Sequence, residues 1–298
     1  MIEITFLGTS AMQPTKERNT ASFLLNYKGE TFLFDCGEGT QRQMKIAGLS
    51  VGDVDKIFIT HWHGDHVLGL PGLIQTIASA NPEKIIEIYG PKGTRQNMKK
   101  LFEIFAFREK HNLFIKDVKK GKILNTEKYF VETRPLEHGI PCAGYSFVEK
   151  DRRRINLNYI KKIGIPEGPL LGKLQDGKSI IFNAKKITPK ESTYLVKGKK
   201  ITHISDTLFC GNSLKLAKNS DVLICESSYA DSLLDKAEEY KHMTARQAAM
   251  LATQSNSKEL ILTHFSQRYK TIEEIKEEAV EGFKNSVCAY DFMKKKIE

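Results

Sequence analysis

The sequence predicts an α/β protein built as an αββα sandwich, two sheets each covered by helices on the outer face. Strand-like runs stand at both ends of the chain with helical stretches between them. That alternation breaks once, at a basic segment over residues 150–180, which is expected as a flexible arm inserted into a single 1–298 domain. A doubly wound Rossmann sheet is the alternative, and the lack of a GxGxxG after the first strand counts against it.

The elements follow in order. MIEITFLGTS lacks the basic and apolar regions of a signal peptide and is expected as the first strand. SFLLNY and TFLFDCG, joined by KGE, form a hairpin, and EGTQRQMKIAGL a helix closing near Gly48. KIFIT, a helix through LIQTIASA, the strand KIIEIYG and a helix containing QNMKKLFEIFAF come next, then strands around KYFVETRPLEH and AGYSFVEK. Residues 150–186 hold ten Lys/Arg against three Asp/Glu, with glycines and prolines suited to a stalk and a small head. The rhythm then resumes through KKITHISD, DVLICES, the helix TARQAAMLATQ, ELILTHF, a helix through EEIKEEAVEGF, and SVCAYDF.

Composition narrows the function class. No apolar run reaches about 18 residues, so no transmembrane helix is expected. The five cysteines, 36, 142, 210, 225 and 288, are scattered with no CxxC, which points to reduced core thiols in a cytoplasmic protein and away from a cysteine zinc site. With 46 Lys+Arg against 36 Asp+Glu, the net charge of +10 attracts nucleic acid, anionic membranes or acidic substrates.

THWHGDH, residues 60–66, holds three of the eight histidines. His61 and His63 stand two apart directly after a strand, and extended backbone projects both to the same side. Asp65 and His66 follow as the chain turns toward a helix. Nitrogen and oxygen donors without thiolate favour Zn²⁺, with Mn²⁺ and Fe²⁺ as the other candidates, and two such clusters suit two ions. His138, Asp206 and His264 each end a strand-like run, where sites in α/β folds gather, and they complete a set of seven. His111, in the charged loop EKHNLF, and His203, inside its strand, are read as structural.

THWHGDH fits the signature of the metallo-β-lactamase superfamily, and the chain resembles the ribonuclease Z family over essentially its whole length. The resemblance runs through FLGTSA, PTKERN at 14–19, DCGEGTQRQ at 35–43, HGDHVLGLPGL at 63–73 and IPEGPLLGKL at 165–174. It continues in HMTARQAA at 242–249, LTHFSQRY at 262–269 and AYDF at 289–292. It implies an endonuclease that removes 3′ trailers from precursor tRNA after the discriminator base, leaving a 3′-hydroxyl on the tRNA and a 5′-phosphate on the trailer. It implies two zinc ions, one on His61, His63 and His138, the other on Asp65, His66 and His264, with Asp206 bridging. Asp65 is then expected to orient or deprotonate the attacking water, and His242, held by Glu226, to protonate the departing 3′ oxygen. Arg18, Asn19, Gly168, Pro169 and Arg268 are expected on the RNA, and the arm on the tRNA backbone. A homodimer is implied as well, with no membrane or nucleotide cofactor. The chain departs from the family pattern at Ser205-Asp206-Thr207, where the family often has GDT, and at Cys225-Glu226-Ser227-Ser228, where it often has His-Glu-Ala-Thr. The competing readings are a superfamily hydrolase of a cyclic nucleotide, lactone or arylsulfate, and a non-catalytic RNA-binding protein.

Overall fold

The computed structural model describes residues 1–105 and 112–298, so His111 lies outside the described residues. The chain divides into two compact units: Met1–Leu124 with Val131–Phe147 and Lys200–Glu298, and Asn125–Phe130 with Val148–Lys199.

Two seven-stranded sheets account for the apolar runs of the sequence. The first has the order Lys294–Ile297, Ile2–Gly8, Ser22–Tyr27, Glu30–Phe34, Val54–Phe58, Ile85–Gly90 and Asn112–Asp117. Its early strands pair antiparallel, and parallel pairing begins between Glu30–Phe34 and Val54–Phe58. The hairpin turn is Lys28-Gly29 with φ of 50° and 88°, left-handed at both positions as a two-residue type I′ turn requires. The second sheet has the order Ser286–Cys288, Leu260–Thr263, Val222–Glu226, Lys200–Ile204, Cys142–Glu149, Tyr129–Leu136 and Gly121–Asn125, with its first four strands parallel.

Alternation along the strands sends one set of side chains between the sheets and the other outward. The inner set is aromatic in the larger unit: Tyr145 meets Phe34 and Phe58 at centroid distances of 6.2 and 5.3 Å, and Phe147 meets Phe32 at 5.4 Å. The buried Tyr145 hydroxyl donates to the Ile59 carbonyl at 2.7 Å, which satisfies it. Outside the first sheet lie helices Thr40–Ile46, Leu70–Ala80 and Thr94–Ile104, burying Met44, Leu73, Ile77 and Met98. Outside the second lie Gly211–Ala217, Ala245–Gln254 and Glu273–Gly282, burying Leu216, Ala249, Ile275 and Ala279. This is the expected αββα sandwich. No helix among the described residues is long and apolar enough to cross a membrane. All five cysteines are unpaired, four of them buried.

The second unit contains the segment 150–180 and has a core of its own, Ile160, Ile165, Leu174, Ile180 and Ile187. Strand Arg152–Ile155 pairs antiparallel with Thr193–Val196. Helix Leu157–Ile163 starts where the Asn156 side chain accepts from the Tyr159 amide, and helix Pro169–Gln175 has proline in its first turn.

Candidate metal centre

Parallel strands deliver their C-terminal ends to one edge of a sheet, and the chemistry collects there. His61 follows strand Val54–Phe58, His138 follows Tyr129–Leu136, Asp206 follows Lys200–Ile204, and His264 follows Leu260–Thr263. Gly64–Val67 then forms one helical turn that carries Asp65 and His66. All seven side chains expected as ligands meet in this region. The donor atoms of His61, His63, His138 and Asp206 lie within 4.8 Å of one another, and so do those of Asp65, His66 and His264.

Asp206 stands between the two groups. Its Oδ2 is 3.6 Å from His61 Nε2 and 4.0 Å from His138 Nε2, while its Oδ1 is 3.6 Å from His66 Nε2 and 3.4 Å from His264 Nε2. One oxygen faces each group.

The outer hydrogen bonds fix which nitrogens carry protons. His66 Nδ1 sits 2.8 Å from the Asp35 carboxylate and therefore donates to it. Ser228 Oγ donates to Glu226 at 2.7 Å and so accepts from His264 Nδ1 at 3.0 Å. His138 Nδ1 donates to the Lys241 carbonyl at 3.1 Å. In neutral rings this leaves His66 Nε2 and His264 Nε2 bare and facing each other at 3.2 Å, and His138 Nε2 bare 3.2 Å from His63 Nδ1. Lone pairs facing at such distances repel unless a cation lies among them, so the donor set fits metal ions. Electrostatics agree. Burial lowers His66, but Asp206, Asp35 and Asp65 outweigh it and raise its pKa well above the ordinary value. A field that favours a proton on His66 also favours a metal cation.

Asp35 is the functional side chain that sequence reasoning missed. It accepts from the Thr60 amide and hydroxyl at 2.7 and 2.8 Å as well as from His66, and it is nearly fully buried. Its signal was available, since it ends the run TFLFD as Asp206 ends KKITHIS. Thr60 adds a contact to His61 Nδ1 at 3.1 Å. Asp35 and His264 both hold positive φ, 55° and 62°, and strain in non-glycine residues of this kind concentrates at functional sites. His203 is buried against the Phe23 ring at 5.0 Å, and burial pushes its pKa down to about 4.

His242 enters from the loop before helix Ala245–Gln254, whose start is the Thr244–Gln247 capping box. Its Nδ1 lies 3.0 Å from Glu226 and 3.8 Å from Asp206. Burial lowers His242, yet Glu226 and Asp206 reverse this and hold it up at about 9. A pocket of about 590 Å³ opens over the centre, lined by His63, Asp65, His138, His242 and His264. Arg268 reaches this pocket, stacked over the Tyr229 ring at 5.0 Å. Arg18 and Asn19 do not: they line a separate cavity of about 210 Å³ with Lys16 and Arg42. Arg18 spends its guanidinium on the Tyr269 and Ser266 carbonyls, and Asn19 donates to the Glu38 carbonyl. Gly168 and Pro169 open helix Pro169–Gln175 in the second unit.

Comparison with known proteins decides the family. The chain is 40% identical to the ribonuclease Z of Methanothermobacter thermautotrophicus, over 98% of this chain and 96% of that protein. It is 37% identical to the ribonuclease Z of Bacillus cereus over the full length of both. The chain belongs to the ribonuclease Z family. Among solved structures, human tRNase Z, short form, matches with 29% identity, 99% coverage of both chains and a TM-score of 0.71. The fold is shared more widely, as with a metallo-β-lactamase fold protein of Bacillus subtilis at TM-score 0.72 and 16% identity, covering 99% of this chain and 98% of that one. The model of a family described as anti-Pycsar protein Apyc1 also matches, over residues 2–288, so the chain falls within that family too.

Proposed function

We propose that the protein is a zinc-dependent endoribonuclease that removes the 3′ trailer of precursor tRNA, cutting after the discriminator base. The observation that carries this is Asp206 with one oxygen facing each of two imidazole groups, in one of which His66 and His264 turn bare nitrogens toward each other. Full-length identity to ribonuclease Z supports the choice of substrate.

In this reading His61, His63 and His138 would hold one zinc and Asp65, His66 and His264 the other, with the Asp206 carboxylate standing between the two groups. When bound, the two ions supply charge against a phosphoryl group and lower the pKa of a water. The protein's own residues do the rest. Asp65 takes the proton of the attacking water, and the Met12 amide, 2.7 Å from Asp65 Oδ2, holds that carboxylate in place. His242 donates its Nε2 proton to the leaving 3′ oxygen, while Glu226 orients the ring through Nδ1. Arg268 binds a phosphate at the pocket, and Gly168 and Pro169 meet the tRNA from the basic unit. Arg18 and Asn19, beside Lys16 and Arg42 in their own cavity, meet the acceptor-stem end away from the cut. The products are a 3′-hydroxyl on the tRNA and a 5′-phosphate on the trailer. A homodimer in the cytoplasm is the assembly and location that accord with the family resemblance, and sedimentation tests the first.

The second reading is a hydrolase of another phosphodiester such as a cyclic nucleotide, using the same donor set of histidines and aspartates. Mapping the cut on precursor tRNAs with and without encoded CCA, using zinc-loaded protein, separates the two. A single cut after the discriminator base is expected. Turnover of a cyclic nucleotide with every precursor left intact would select the second reading.

A further inference from the structure

Three large apolar side chains stand out of the protein around the mouth of the metal pocket. Met12 is 73% exposed, Leu68 63% and Tyr240 54%, and all three line the pocket. A single exposed apolar residue is ordinary, but three around one opening form a surface. Each also stands next to the candidate ligands, in the chain or in space. The Met12 amide donates to Asp65 Oδ2 at 2.7 Å. Leu68 folds back over Gly64, between His63 and Asp65, so closely that a Cβ at Gly64 would stand 3.0 Å from Leu68 Cδ1. Tyr240 precedes Lys241, whose carbonyl accepts from His138 Nδ1 at 3.1 Å. Met12 and Lys241 hold left-handed backbone at φ 66° and 58°, a conformation costly for non-glycine residues. The backbone is strained where it presents this rim.

We infer that Met12, Leu68 and Tyr240 form a platform for the unpaired nucleobase flanking the scissile phosphate. This rests on the phosphodiesterase reading of the centre and adds how the substrate is seated. An unpaired nucleotide joins an anionic phosphate to a flat apolar face, and the pocket offers cation-binding groups beside an apolar rim. Arg268 over Tyr229 adds a cation next to the rim. A thioether, an aliphatic chain and a phenol ring contact a base by its face, and the thioether adapts to rings of different size. Recognition is therefore expected to tolerate any of the four bases.

The test uses the full-length zinc-loaded protein and a short RNA stem with a single-stranded 3′ tail, carrying either a normal or an abasic nucleotide on each side of the cut in turn. Leu68→Ala combined with Tyr240→Ala is expected to raise KM for the normal RNA about 5- to 100-fold with kcat little changed. On the abasic RNA the same variant should differ from wild type by less than about twofold, because the platform has nothing to hold. Met12→Leu and Tyr240→Phe should each keep most of the wild-type KM. Equal loss on normal and abasic RNA, or no loss on either, overturns the platform while the nuclease reading stands. Failure of the wild-type protein to cut the RNA overturns both.

Discussion

The two compact units divide the charge of the chain unevenly. The smaller one carries fourteen Lys/Arg against six Asp/Glu, a net of +8, whereas the larger carries 32 against 30, a net of only +2 of the total +10. The larger unit buries a cluster of ionisable groups in one centre, where Asp35, His61, His66, Asp206, Glu226 and His264 are all nearly inaccessible. The smaller unit buries five isoleucine and leucine side chains and leaves Lys161, Lys162, Lys173 and Lys178 in solvent. Chemistry needs fixed charges in a dry place, and gripping a polyanion needs many charges in a wet one. Under the proposed function the two demands fall on different parts of one chain.

That contrast can be broken from either side. The largest effect is expected from chelation or from Asp206→Ala: turnover of both precursor tRNA and a small phosphodiester such as bis(p-nitrophenyl) phosphate should vanish, with zinc restoring only the chelated wild type. Loss of tRNA cleavage alone would show that the buried centre is not where the bond breaks. Next, His242→Ala should slow trailer cleavage about 10²- to 10⁴-fold with zinc content unchanged by atomic absorption. Turnover within a few-fold of wild type removes His242 from the proton path. Asp35→Asn places an amide against donors from Thr60 and His66, and a titration with a zinc indicator should show metal affinity weakened about 10- to 100-fold. Replacing Lys161, Lys162, Lys173 and Lys178 with glutamate should reduce kcat/KM for tRNA about tenfold and flatten its dependence on salt, leaving the small phosphodiester unaffected. An equal fall on both substrates would merge the two roles.

The smallest effect concerns pH. Burial raises the Asp291 carboxyl to about 6 despite donors from the Asn19 amide and the Thr9 hydroxyl. The folded state thus holds this proton more tightly than the unfolded chain, so the stability it contributes is present at low pH and lost as pH rises through about 6. Asp291→Asn should remove that term. The difference in melting temperature between wild type and variant should favour wild type more at pH 5 than at pH 7.5.

Much of this was legible in the residues themselves. Outside the THWHGDH cluster the expected ligands His138, Asp206 and His264 shared one local cue, a polar side chain ending an apolar run, and the capping box at Thr244 and Gln247 was readable from spacing alone. Asp35 carried the same cue but no neighbouring histidine, so nothing local marked it as the brace of His66. What lay beyond reading was long-range. The basic break at 150–180 shows in composition, but strand Arg152–Ile155 finds its partner at Thr193–Val196, and residues 125–130 join the same unit from before the break. Nor does PTKERN announce that Arg18 turns inward to backbone carbonyls rather than outward to solvent.

The inward nitrogens of the centre come from far apart along the chain. His63 meets His138 across 75 residues and His66 meets His264 across 198. An ion seated among them acts as a removable cross-link that closes very long loops, and its binding free energy adds to that of folding. The melting temperature should therefore rise with free metal concentration by mass action, which makes the protein's own unfolding a gauge of how well its centre is filled.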